Sequence, residues 1–472
     1  MPKARQYLLI VGWSVVLIVP LYAQPSAPPS PPAEAATVPG LASEIPTLPV
    51  TGSEKSVSST ASEAKSSTTA KAPSTAGWDD VFFLRSADKQ FSLRFTGQIQ
   101  SDYRDYLDSG DQVDLTTFQI RRARLGLEAV LFQHYEFRFL TDFGAGQTRL
   151  VDSYLNVRYW DEAQFTFGKF KQPFSYEQLM QDRFTPFMER SIIDQLVPGR
   201  EVGIMIQGQN LFHNMLDYGL STSNGVRDAD SDTNGAKDAT ARIAVRPFET
   251  WVHHPLQRFQ LGVAVNGGNQ SEPVNPQTLR TPASIPFFQF NKSVIADGRR
   301  LRWSPELLYF YGSFGFAMQY FHMTQEVRPS AVAPVSKTVI VVPYEGFYIQ
   351  TTYLLTGEAR TGYGQSIVPS RSFDPRRGHF GPGAWEIVGR VSRLVIGDAV
   401  FAPGIAQLAD PSAVSNTATE MTLGFNWYLN KWVRAQFNWE HAWFGRPVRL
   451  GAGPQGLFKQ HDTLQTRLQF IF

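Results

Sequence analysis

The sequence predicts an all-β fold, a transmembrane antiparallel β-barrel of sixteen strands, set behind an export signal and a spacer. Three observations carry this expectation. From Trp78 onward apolar and polar residues alternate with period two, segment after segment. Aromatic residues make up 13% of the chain and gather near the ends of those segments. No stretch after residue 23 is long and apolar enough for a membrane helix, so any crossing is made by strands.

The elements follow in order. Residues 1–23 have the layout of a secretory signal peptide: Lys3 and Arg5 lead an apolar run from Leu8 to Leu21, and Ala23 is the cleavage position. The run falls short of the ~20 residues that a single membrane anchor needs. Residues 24–77 are rich in Pro, Ala, Ser and Thr, with no aromatic residue between Tyr22 and Trp78. Such a stretch buries too little apolar surface to offset its ordering entropy, so a disordered periplasmic linker is expected. It is either a tether toward the cell-wall layer or an inert leader.

Residues 78–472 carry the strands. At the C-terminus Leu464, Thr466, Leu468, Phe470 and Phe472 oppose Gln465, Arg467 and Gln469. Val433, Ala435, Phe437, Trp439 and Trp443 oppose Arg434, Gln436, Asn438 and Glu440. Tyr135, Phe137 and Phe139 oppose Glu136, Arg138 and Asp142. Alternation over 8 to 12 residues gives a strand with one apolar and one polar face. A soluble sandwich also has such strands. The length of these, close to the ~9–11 residues of a tilted bilayer-crossing strand, favours a barrel with lipid outside and a wet lumen inside. Sixteen strands start near Phe91, Leu115, His134, Val151, Gln164, Arg200, Asn214, Ala239, Arg258, Arg299, Ser313, Glu345, Ala384, Thr419, Trp432 and His461. An even number puts both ends on the periplasmic side. One connection, Thr356 to Gly383, is long where a short turn is expected, so either a strand is miscounted or the segment folds into the lumen.

Composition narrows the chemistry. With no cysteine, the chain has no disulfides, thiolate metal sites or Cys nucleophile. With 44 Lys+Arg against 42 Asp+Glu, net charge does not drive nucleic-acid binding. No Ser/His pair, His-Glu-x-x-His or phosphate-cradling glycine loop is evident, so neither an enzyme nor a cofactor is expected.

Several ordered motifs stand in the barrel region. They are Arg121-Arg122-Ala123-Arg124-Leu125-Gly126, Gly168-Lys169-Phe170-Lys171-Gln172-Pro173-Phe174, Phe187-Met188-Glu189-Arg190-Ser191, Tyr353-Leu354-Leu355-Thr356-Gly357-Glu358 and Gly424-Phe425-Asn426-Trp427-Tyr428. With these, the chain from about Phe91 to Phe472 resembles the phosphate-selective porin O/P family. The resemblance implies a sixteen-stranded outer-membrane barrel, a homotrimer, passing small inorganic anions. The final Phe472 resembles the signal read by the barrel assembly machinery, and the apolar faces would meet outer-membrane lipid.

Gln172 to Gly199 is the candidate inward-folded constriction loop. It is far longer than a hairpin needs and carries Phe174, Leu179, Met180, Phe187 and Met188, which are ill suited to water. Its Arg183 and Arg190, with the adjoining Arg200, would border the pore. Strand parity turns Arg122 and Arg124 inward and leaves Arg121 on the other face. The same test turns Arg94, Arg138, Arg158, Arg242, Arg246, Arg390 and Arg434 inward. Guanidinium groups stay charged and match oxyanions with planar forks, so a ladder of them would pass phosphate or another oxyanion along weak sites. The competing role is pairing with the inward carboxylates Glu128, Glu136, Asp142, Asp152, Glu386 and Glu440. Lys169 and Lys171 share parity with Phe165 and Phe167, which points them to lipid, yet they lie where parity is lost to the loop. From Trp78 on, 31 arginines and 8 lysines meet 38 acids, which leaves phosphate specificity open against a weakly selective general porin or a structural wall tether. Finally, Asp230, Asp232 and Asn234 match the opening of a calcium loop, although Ala241 stands where its last acid belongs.

Overall fold

The computed structural model describes residues 75–79, 81–107, 116–232, 234–329, 338–376, 378, 380–404, 407–451 and 456–472. The expected signal (1–23), and the expected linker (24–77) except its last three residues, lie outside the described residues.

Among the described residues twenty strands follow in chain order. They are β1 (Ala76–Asp79), β2 (Val81–Arg85), β3 (Phe91–Tyr106), β4 (Thr117–Leu131), β5 (Tyr135–Asp142), β6 (Arg149–Trp160) and β7 (Ala163–Lys171). Then come β8 (Arg200–Asn210), β9 (Leu216–Ser223), β10 (Asp238–Val245), β11 (Arg258–Pro273), β12 (Thr278–Arg280) and β13 (Pro286–Gln289). The last are β14 (Ile295–Tyr311), β15 (Phe314–Arg328), β16 (Ile340–Leu354), β17 (Ala384–Ile396), β18 (Thr417–Tyr428), β19 (Val433–Arg449) and β20 (Leu457–Ile471). Strands β3 to β11 and β14 to β20 form the sixteen-stranded wall, antiparallel throughout and closed where β20 pairs with β3, Phe470 opposite Ile99. Each starts within five residues of the position expected from alternation. Closure leaves no open edge, and Ile99, Leu125, Phe167, Ile204, Leu423 and Leu468 stand exposed on the outer face, where lipid meets them.

Local chemistry sets the ends. Phe132 and Gln133 turn β4 into β5 with φ of 51° and 64°, the left-handed pair whose twist matches a tight hairpin. At the seam Gly97 N–H donates to Phe472 O at 2.8 Å and Phe472 N–H donates back at 3.1 Å. The Phe472 ring lies over Gly97, where a Cβ would come within 2.1 Å of it. Trp385 stacks on Trp427 at 5.1 Å near the same rim, in keeping with an interfacial aromatic girdle. Alternation did not reveal the β1–β2 hairpin. It continues the wall below the end of β20, with Phe82 opposite Phe95 and Arg85 opposite Ser92.

The lumen corrects one expectation. Its lining is polar on β3 to β10 but apolar over much of β14 to β17. There Ala317, Phe321, Met323 and Val327 of β15, Val342, Tyr344 and Tyr348 of β16, and Leu394 and Ile396 of β17 are buried. The β12–β13 hairpin folds in over them with Leu279, Phe287 and Phe288, joined by Val400 and Leu408 from the connection after β17. Burial of each such side chain contributes about 1.5–3 kcal/mol, enough to hold these loops inside rather than in water.

The long segment between β16 and β17 also enters the lumen, while the strand count stays at sixteen. Arg360 and Tyr363 are fully buried, Arg360 paired with Glu386 and Tyr363 set edge-on to Phe310 at 5.0 Å. The rest of its basic residues do not follow. Arg371 and Arg376 are exposed, and Arg377 and His379 lie outside the described residues.

Candidate functional site: the constriction and its basic cavity

The connection between β7 and β8 crosses the barrel. Ser175 caps a short helix, α1 (Tyr176–Leu179), by accepting from Gln178 N–H at 3.3 Å. Two 3-10 turns follow, Asp182–Phe184 and Ile192–Leu196. Phe174, Met180, Phe187, Met188, Ile192, Ile193 and Val197 are buried. The backbone is tied to the far wall. Met188 N–H donates to Asn438 Oδ1 at 2.9 Å, Tyr176 N–H to Glu306 Oε2 at 2.9 Å, and Asn426 Nδ2 to Pro186 O at 2.9 Å.

Glu189 sits where this loop meets the β3–β4 wall. Its carboxylate accepts from Arg121 Nε at 2.9 Å, Arg467 Nη2 at 2.9 Å, Arg104 Nη2 at 3.1 Å and Arg122 Nη2 at 3.3 Å. Burial works to raise this carboxyl's pKa, but the guanidinium charges of Arg121, Arg122, Arg467 and Arg104 outweigh it and hold Glu189 well below the usual carboxylate range. Asp182 is held down in the same way, burial being overcome by Arg190, Arg124 and Arg122. Glu177 goes the other way. Burial pushes it up to about 7, opposed by Arg390 and reinforced by the nearby charge of Asp194.

The expected arginines are found as follows. Arg122 donates to Gln100 Oε1 at 2.8 Å as well as to Glu189. Arg124 bridges Asp142 at 2.9 Å and Asp182 at 2.5 Å. Arg138 pairs with Glu128 at 3.1 Å and Asp152 at 3.4 Å, and Arg200 with Asp152 at 2.7 Å. Arg158 holds Asp161 and Glu136 at the terminal rim. Arg242 pairs with Glu306, Arg246 with Asp217, and Arg390 with Glu420 at 3.2 Å. Arg190 holds Asp182 at 2.6 Å and Glu177 O at 2.9 Å. Arg434 donates to the loop carbonyls Thr185 O and Arg183 O, and Arg183 itself lies over the Phe184 ring. Arg94 is half-buried on the inner face, opposite Glu128 in register.

One parity assignment is corrected, and one that parity left open is placed. Arg121 points inward, because β4 carries one extra residue there: Gln100 pairs with Arg122 and Ser101 with Ile120. This bulge brings two successive arginines to one carboxylate. Lys169 and Lys171 point inward rather than to lipid. Gly168 takes φ of 122°, a conformation other residues rarely adopt, while the pairing of β7 with β6 and β8 runs on through it. Lys169 Nζ then reaches Leu150 O at 3.0 Å and Asp230 Oδ1 at 2.6 Å, and Lys171 Nζ reaches Met180 O at 2.9 Å. Asp230 is thus engaged by a lysine, and Asp232 accepts from Lys237 and from the Asn234 N–H at 3.0 Å. Among the described residues no three acids or histidines gather as a metal site.

A cavity of about 600 Å3 opens between this loop and the β4–β6 wall. Arg121, Arg122, Arg124, Arg149, Lys169, Arg190, Arg200, Arg227 and Arg280 line it, against Asp182, Glu189, Asp194, Asp228 and Asp230. Arg149 and Arg121 keep 55% and 30% of their side chains exposed, so water and small ions reach them. Sequence reasoning missed Arg149, Arg227 and Arg280. Arg227 and Arg280 lie in or beside loops, where alternation says nothing, and Arg149 opens its strand. A second cavity of about 300 Å3 lies at the terminal rim between Glu136, Arg158, Gln164, Gln209 and Phe212.

A family model described as phosphate-selective porin O and P matches residues 93–472. No curated protein sequence matches the chain. Among solved structures, in-vitro folded OmpT, an outer membrane protein of Vibrio cholerae, is similar over 81% of this chain and 98% of that one, at 10% identity and TM-score 0.48. Salmonella typhi OmpF in complex with daunomycin is similar over 81% and 98%, at 12% identity and TM-score 0.46. The outer membrane channel DcaP of Acinetobacter baumannii is similar over 82% and 99%, at 10% identity and TM-score 0.47. The family match runs from the third residue of β3 to the final Phe472, the whole of the closed wall and the loop across it, and the chain belongs to the phosphate-selective porin O and P family, an outer-membrane channel of bacteria.

Proposed function

We propose that the barrel passes small hydrophilic solutes by passive diffusion with a preference for anions, phosphate and other oxyanions among them. One observation carries this reading: the cavity beside the constriction has nine cationic and five acidic side chains in its lining. A wet lumen narrowed at a ring of fixed positive charge raises the local anion concentration and repels cations. Arg121 and Arg149 are the accessible members. Most inward arginines are already paired with carboxylates, and this supports weak selectivity as the second reading. Residues 1–23 serve as the export signal and 24–77 as a periplasmic spacer. The working assembly is a homotrimer in outer-membrane lipid, inserted through recognition of Phe472. The test is the zero-current potential of the refolded protein in a planar bilayer under a potassium chloride gradient, repeated with phosphate. The reading requires an anion-selective potential and a fall in chloride current when phosphate is added. A cation-selective potential overturns it.

A further inference from the structure

The three cavities that line up through this barrel all lie against one side of it. The upper one, of about 600 Å3, is bounded by Val151 and Arg200. Below the Arg200–Asp152 ion pair is a smaller one, of about 50 Å3, where Asp152, Lys171, Gln207 and Gln209 stand among the apolar Phe170 and Met205. Gln209 also lines the cavity of about 300 Å3 at the terminal rim. Strands β6 to β8 contribute to all three linings and β9 to the smallest, with β4, the constriction loop and the tip of the β12–β13 hairpin closing the upper one. The opposite side is filled. The β12–β13 hairpin covers the inner faces of β15 to β17 at the loop end, α1 lies beneath it, and Arg360 and Tyr363 come in from the terminal rim. Tyr363 N–H donates to Tyr176 Oη of α1 at 3.2 Å, so the fillings from the two ends meet. Gln350 and Thr352 of β16 are buried beneath them and line none of the three cavities.

We infer that permeation follows a one-sided route along β6 to β9, through a neck at Asp152, Arg200, Lys171 and Gln207, and that the β15–β17 side of the lumen carries no current. The inference rests on the channel reading above and adds where the solute goes. An anion that leaves the upper cavity meets Arg200 and Lys171 next, each already committed to a partner, so the neck offers exchangeable contacts rather than a fixed site. Arg360 and Tyr363 act here as a strut under α1, and no described residue of 355–383 lines the three cavities.

The chain has no cysteine, so single thiols report the route directly. Gln207→Cys and Gln209→Cys sit on it, and Gln350→Cys and Thr352→Cys sit on the filled side. Each full-length variant, open in a planar bilayer, is exposed to a small anionic methanethiosulfonate. The inference expects the current to fall at least twofold at Gln207→Cys and Gln209→Cys, and to hold steady at Gln350→Cys and Thr352→Cys. Equal block on both sides, block only on the β16 side, or block at neither overturns it. Two positions on each side guard against one variant failing to fold. An unmodified protein with no conductance defeats the channel reading itself. A conducting protein with the wrong pattern defeats only the route.

Discussion

The two halves of this lumen use opposite chemistry on the same wall. From β4 to β9 the inner face is charged, the strands hold the constriction loop through ion pairs, and the space between is open to water. From β14 to β17 the inner face is largely apolar, loops pack on it as a core, and the cavity where Leu196, Met323 and Tyr344 meet is about 20 Å3. A barrel strand needs an apolar outer face, but its inner face is free to bind either water or protein. On the inference drawn above, one half carries solute and the other is filled by packed loops.

Substitutions that separate the halves should differ in size and in what they change. The largest effect is expected at Glu189→Ala. It leaves Arg104, Arg121, Arg122 and Arg467 without a shared carboxylate and should cost about 3–5 kcal/mol. Thermal unfolding in detergent should fall steeply, and the surviving channels should become more anion-selective. On the filled side Phe321→Ala leaves a cavity worth about 3–5 kcal/mol, with the zero-current potential unchanged. A selectivity change there would break the comparison.

A pH effect comes next in size. Glu177, pushed up to about 7, keeps its proton in the folded barrel at pH values where the unfolded chain, near 4.5, has released it. Its contribution is therefore present below about 4.5 and lost as pH rises toward about 7. Glu177→Gln should flatten that fall in thermal stability. Glu189 and Asp182, held low, act with the opposite sign: their contribution is present above the usual carboxylate pKa and lost on strong acidification. The smallest stability effect belongs to the open side. Arg149→Gln, over half exposed, should change stability by no more than ~0.5 kcal/mol while moving the zero-current potential toward cations.

Much of this was legible from alternation. Period two located all sixteen wall strands and the inward parity of Arg122, Arg124, Arg138 and Arg390, because a wall strand must show lipid one face only. The loop 172–199 was legible because its Phe and Met residues had to be buried somewhere. Arg121 was not, since a bulge shifts register in mid-strand, and Lys169 was not, since its partners Leu150 O and Asp230 lie across the strand end; neither follows from hydropathy. The filled half left a signal that alternation alone passes over. In β15 and β16, Phe321, Met323, Val342 and Tyr344 face one way and Phe316, Met318, Phe347 and Ile349 the other, so these strands are apolar on both faces. Such strands are covered on both sides. Arg360 was legible only as one of several basic residues in a segment able to fold into the lumen, because its partner Glu386 comes from the next strand and its place from a fold-back with no periodicity.

The most direct test of a lumen divided into a basic open half and a packed half is anomalous diffraction from crystals of the protein soaked in bromide. This account predicts bromide along β4 to β9, beside Arg121 and Arg149 first, with none on the inner faces of β15 to β17. Bromide spread evenly around the wall, or gathered against β15 to β17, would contradict it.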